Sequence, residues 1–192
     1  MGGAVAGCLI APDQAPIPNP VVQNPNEGIL LVWNEVQNFV LTEDLLVDRV
    51  ADETLPFVTA VGNDFLIAAG TIVSSHYVQW DPGNGSETRV DAALLFDSDI
   101  FAFISDDQNL FDSDFLGVPG IDYSDFGLRG IEAGDSTVFG QDFTRVDISW
   151  RASSPGDWDR IITAFSPAAP EPASFLMLLC GLAGLTLLRQ RH

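Results

Sequence analysis

The feature that most restricts this chain is punctuation. Between residues 28 and 166 the apolar runs are short, and turn-forming residues close each one. Ile29–Trp33, Asn38–Leu41 and Leu45–Val50 come first; Phe65–Ala69, Thr71–Trp80 and Thr88–Phe96 follow; Ile100–Ile104, Phe143–Trp150 and Asp159–Phe165 complete the set. β-branched and aromatic residues are frequent in them, and Val146-Asp147-Ile148-Ser149-Trp150 alternates as a half-buried strand does. Asp81-Pro82-Gly83-Asn84-Gly85 is a strong turn between two runs. Nine such strands predict an all-β body, a single β-sandwich of jelly-roll type over residues 28–166. Residues 106–123 break the rhythm and predict a long loop with a helical turn.

Charge narrows the function. The chain has 27 acidic and 8 basic residues, every basic one an Arg. A body this acidic repels phosphate backbones, which excludes nucleic acid as a partner. Cys8 and Cys180 lie near opposite ends, so the body between them holds neither an internal disulfide nor a thiolate metal site.

The C-terminal end obeys a different pattern. Ala173–Leu188 is a 16-residue run without a charge. As a helix it rises roughly 24 Å, a little short of the hydrocarbon core but workable with snorkelling arginines. Arg189 and Arg191 follow it and fix the cytoplasmic side, so the body is expected to be translocated. Pro170-Glu171-Pro172 precedes it, held extended by its two prolines. Residues 167–192 thus read as stalk, transmembrane helix and basic tip.

The order Pro170-Glu171-Pro172-Ala173-Ser174, apolar helix, then Arg189 and Arg191 resembles the PEP-CTERM sorting signal. The resemblance covers roughly residues 170–192. It implies recognition by exosortase, a membrane-embedded, cysteine-protease-like enzyme of Gram-negative and related bacteria, in cells that make exopolysaccharide. It implies an exported protein, anchored transiently in the inner membrane and delivered to the cell surface or matrix. Val73-Ser74-Ser75-His76-Tyr77, Phe96-Asp97, Leu110–Asp114 and Ser154-Pro155-Gly156-Asp157-Trp158 resemble a family of PEP-CTERM-tailed proteins that carries no activity over to this chain.

The start fits export poorly. Residues 1–27 lack a basic n-region and a full apolar core, and read as a truncated export signal with a Pro-rich linker. Val5-Ala6-Gly7-Cys8 also fits a lipobox loosely.

Several chemistries compete for the body. His76 adjoins Ser74 and Ser75, but neighbouring strand residues face opposite ways, which opposes a catalytic triad. Paired carboxylates suit glycoside hydrolysis, yet in so acidic a chain some pair meets the distance by chance. Calcium is the better cofactor reading: Asp97, Asp99, Asp106, Asp107, Asp112 and Asp114 crowd one region and supply hard oxygen ligands. Their spacing matches no EF-hand, and the alternative is that they populate turns and helix caps. Trp33, Trp80, Trp150 and Trp158 are candidates to stack on sugars or to fill the core. The preferred expectation is a non-enzymatic surface protein associated with exopolysaccharide. The alternative is a secreted carbohydrate-active enzyme or carbohydrate-binding module.

Overall fold

In the computed structural model, the described residues are 17–21, 30–82, 87–123, 129–153 and 156–167. Pro170-Glu171-Pro172, Ala173–Leu188, Arg189 and Arg191 lie outside them, as does Val5-Ala6-Gly7-Cys8. Among the described residues, no helix is long and apolar enough to cross a membrane.

The body is all-β in character, with three antiparallel sheets and one short α-helix. Its strands are β1 (Leu31–Asn34), β2 (Phe39–Val40), β3 (Leu45–Val47), β4 (Arg49–Val50), β5 (Val58–Val61), β6 (Asp64–Ile67), β7 (Ile72–Trp80), β8 (Thr88–Leu95), β9 (Ile100–Ile104), β10 (Ser136–Phe139), β11 (Arg145–Ala152) and β12 (Asp157–Thr163). The largest sheet runs β1-β7-β12-β9-β4, with β2 also paired to β7. The others run β10-β11-β8 and β3-β6-β5.

The large sheet is covered on both faces, which explains why every residue of β12 is buried. On one face Val78, Trp80 and Ile161 meet Val90, Leu94, Val146, Ile148 and Trp150 of the β10-β11-β8 sheet, a sandwich-like packing. On the other, Val73, Tyr77, Trp158 and Ile162 meet Leu45, Val47 and Ile67 of the third sheet, together with Leu110, Leu116 and Tyr123. The two sets alternate along β7 and β12, as strand geometry requires.

Three local results depart from expectation. The run Leu45–Val50 is two strands, broken at Asp48, whose carboxylate accepts from the backbone of Ser105 (2.5 Å) and Asp106 (2.9 Å) and from Asn109 Nδ2 (2.5 Å). β5 and β10 were not anticipated; both are four residues long. Residues 17–21, expected in the linker, pack on the body: Val21 is buried, its amide donates to the Asp122 carbonyl (2.9 Å), and Gln79 Nε2 donates to its carbonyl (2.8 Å).

Candidate functional site

The irregular segment after β9 builds the most polar part of the interior. Asp106 caps α1 (Asp107–Asp112) by accepting from the Gln108 amide at 3.0 Å, and Asp107 sits in its first turn, where acids suit the helix dipole. The Ser113 amide closes the helix onto the Asn109 carbonyl at 3.1 Å, and a 3₁₀ turn, Asp114–Leu116, follows. Buried Leu110 and Leu116 hold this segment on the sheet, which sets Ser113 and Asp114 against Arg160 of β12.

Arg160 is fully buried, and all five of its N–H donors are used. Nε donates to Glu35 Oε2 at 2.7 Å, and Nη2 donates to Glu35 Oε1 and Asp114 Oδ1, each at 3.0 Å. Nη1 donates to the Leu110 carbonyl at 2.9 Å and to the Ser113 hydroxyl. Glu35 also accepts from the Ser75 hydroxyl at 2.5 Å. Asp114 is gripped a second time by Arg129, whose Nη1 donates to Oδ2 at 2.7 Å and whose Nη2 donates to Oδ1. Arg129 Nε donates to the Tyr77 hydroxyl at 3.0 Å. Both guanidinium groups lie over the Tyr77 ring, Arg160 at 5.0 Å and Arg129 at 5.7 Å. Burial raises Tyr77 to about 12, so it stays neutral. Two cations thus meet two anions, a balance that makes burying Glu35, Arg129 and Arg160 tolerable.

The network approaches solvent at Asp114. There a depression of about 520 Å³ is lined by Phe111, Asp114, Phe115, Val118, Pro119 and Tyr123 among others, with Phe111 and Phe115 largely exposed. Tyr123 receives Trp33 Nε1 (3.3 Å) and the Val118 amide (3.0 Å) on its hydroxyl.

No family model matches the chain, and neither does any curated protein or solved structure. The reading of the site therefore rests on its own geometry.

The six expected calcium ligands have separate occupations. Asp97 accepts from the Ser166 hydroxyl at 2.6 Å, and Asp99 holds the Ala164 amide through its backbone carbonyl at 2.7 Å. Both precede β9, whereas Asp106 and Asp107 follow it. Five residues of extended strand span roughly 16 Å, too far for one ion's first shell. Asp112 accepts from Gln108 Nε2 at 2.9 Å, and Asp114 serves the arginines. Among the described residues, no group of three or more His, Cys, Asp or Glu could hold a metal ion.

The serines and histidine form no triad. Ser75 faces Glu35, while His76 turns to the other side of β7, with Nδ1 2.7 Å from Asn34 Oδ1 and Nε2 3.1 Å from Thr163 Oγ1. Burial lowers His76 to about 4 against the opposing pull of Asp97, so the ring is neutral. All four tryptophans are buried, which assigns them to the core and removes them as sugar platforms.

Two further acids lie on β12, on the face opposite Arg160. Asp157 is buried, its Oδ2 has no hydrogen-bond partner among the described residues, and burial, then Asp135 and Glu132, push it up to about 8. Asp159 accepts from the Ser105 hydroxyl at 3.1 Å; burial pushes it up to about 7 against the opposing effects of Thr137, Arg49 and Ser105. For the charged groups of β12 the sequence did hold a signal: Asp157-Trp158-Asp159-Arg160 sets three charges in a strand that continues as Ile161-Ile162-Thr163.

Proposed function

We propose that this chain is an exported, non-enzymatic protein of the bacterial surface or matrix. Its sandwich-like body is carried on a C-terminal transmembrane helix and handed to an exosortase. The observation that carries the reading is the order Pro170-Glu171-Pro172, Ala173–Leu188, Arg189 and Arg191. A plain anchor needs the helix and the arginines but has no use for the tripeptide. The body supports a non-catalytic role. Its buried ions are consumed by internal pairing, and Asp157 and Asp159 are displaced in the same direction, whereas an acid–base pair needs displacements that diverge.

In a host that encodes exosortase, mass spectrometry of the surface protein should find a C-terminus near Glu171 or Pro172. Glu171→Ala should leave a membrane-bound precursor that still contains Arg191. An intact C-terminus on the wild-type surface protein reduces the tail to an anchor.

The depression beside Phe111 and Phe115 favours a second reading, a carbohydrate-binding module. Exposed aromatic faces beside a fixed carboxylate suit a neutral sugar. Oligosaccharide titrations that move only the NMR signals of residues 111–123 would support it.

A further inference from the structure

Eight large apolar side chains are exposed among the described residues, and four of them gather where the chain leaves the body. Val40 of β2 is paired with Ile72, the first residue of β7. β12 ends beside them, with Thr163 opposite Ser74, and Phe165 lies two residues further on. The Ala164 amide donates to the Asp99 carbonyl at 2.7 Å, and the neighbouring Ile100 amide donates to the Phe143 carbonyl at 2.7 Å. Val40, Ile72, Phe143 and Phe165 therefore share one end of the large sheet, at exposures of 43–53%. Phe143 stands at φ 55, a left-handed conformation that a bulky residue adopts only against a cost.

We propose that this end of the body docks on the lipid bilayer surface while the tail is inserted. The inference rests on the membrane-spanning tail described above. Only residues 168–172 separate Pro167 from Ala173, and six extended steps span about 20 Å. Whatever end of the body faces the tail is thus tethered within about 20 Å of the headgroups, at a high effective concentration. Scattered apolar residues need no explanation on a free surface, but gathered at a tethered end they fit the headgroup boundary. Asp97, Asp99 and Asp142 are exposed around this end, so a zwitterionic surface is accepted better than an anionic one.

The test uses the full chain with Cys8→Ser and Cys180→Ser, reconstituted in phosphatidylcholine vesicles. An environment-sensitive fluorophore is placed on a single cysteine at Phe143, Phe165, Val61 or Thr88. Val61 and Thr88 are exposed at the opposite end, beside the β5–β6 turn and at the start of β8. Probes at 143 and 165 should shift to the blue and be quenched by a bilayer-embedded quencher, while those at 61 and 88 stay water-like. Added phosphatidylglycerol should reduce the shift. Protein that floats with the vesicles while all four probes stay water-like overturns the docking and leaves the tail reading standing. Protein that fails to float overturns the tail reading itself. Shielding at 143 and 165 without lipid quenching, accompanied by cross-links between copies, assigns the patch to a second copy and also overturns the proposal. Two independent sites guard against one substitution failing to fold.

Discussion

Asp157 makes the stability of the body depend on pH in an unusual direction. Its folded-state proton affinity corresponds to about 8, against an ordinary 3.8, because burial and the charges of Asp135 and Glu132 oppose ionisation. A carboxyl raised on folding binds its proton more tightly in the native state. The native state therefore holds more protons than the unfolded one between about 4 and 8, and stability falls as pH rises through that range. His76 works the other way. Lowered from 6.5 to about 4, it supports the fold above about 6.5 and withdraws that support as pH falls to about 4. From pH 6.5 to 8 the histidine returns only about 0.4 kcal/mol, so that interval is dominated by the aspartates. With 1.36 kcal/mol per tenfold change in proton affinity, Asp157 should lose about 1.5–2 kcal/mol across that interval, and Asp159, raised to about 7, about 1 kcal/mol. The perturbation is Asp157→Asn, which keeps the shape and removes the proton. Urea unfolding of a form spanning residues 17–167, followed by tryptophan fluorescence at pH 6.5, 7.25 and 8, reads the slope. Net of the histidine, the wild type should lose roughly 2 kcal/mol in total and the variant roughly 0.5 kcal/mol. Equal slopes would refute the reasoning, as would a wild type that gains stability on raising pH.

The buried network gives a sharper effect. Arg160→Met should cost about 3–5 kcal/mol in urea unfolding because it strands Glu35, and adding Glu35→Leu should recover most of that loss; a double variant no better than the single would deny the pairing. Gly156→Ala should cost about 2–4 kcal/mol, since Gly156 stands at φ 95 and its new Cβ would meet the Trp80 carbonyl oxygen at 2.3 Å; an unchanged melting temperature would contradict this. Millimolar calcium should leave the melting temperature unaltered, because the six aspartates are divided among caps, turns and arginines; a rise of several degrees reversed by chelator would show a site formed elsewhere. Raising salt from about 0.05 to 0.5 M should stabilise the body by about 1 kcal/mol through screening of like charges, and thermal melts that fall with salt would rule this out.

Much of the β-body was legible because its strands carry their own punctuation. Each of the nine expected runs overlaps a strand, with ends displaced by one or two residues in several, and the segment after β9 does hold a helical turn. Pattern failed where the deciding contact is remote. Leu45–Val50 reads as one run because nothing local marks Asp48 as an acceptor for a backbone 57 residues away. β5 and β10 are too short for alternation to register; β10 exists by pairing with the longer β11, and β5 by pairing with the equally short β6. Residues 17–21 look like linker by composition, yet the carbonyl of Val21 accepts from Gln79 Nε2 in the core.

The interior charges were hidden for a related reason. Glu35 and Arg160 are 125 residues apart; Glu35 follows β1 and reads as a turn residue, and Arg160 reads as an exposed strand residue until the third sheet and the 107–116 segment cover that face. An alternation rule assumes one wet face, and the large sheet has none along β12. The composition held the clue. In a chain with six arginines before residue 170, Arg160 stands between Asp159 and Ile161-Ile162 in a strand too apolar to lie on the surface. A strand that is buried and still charged must carry its counter-ions with it, and Glu35 and Asp114 are those counter-ions. The neutrality of that cluster has a consequence for the exterior. The buried arginines are cancelled inside, and Arg89, Arg145 and Arg151 pair with neighbouring acids on the β10-β11-β8 sheet, which leaves the other surface acids in excess. On the docking proposed above, Val40, Ile72, Phe143 and Phe165 interrupt this acidic exterior at the end that holds Pro167, and that contrast would orient the body toward a membrane.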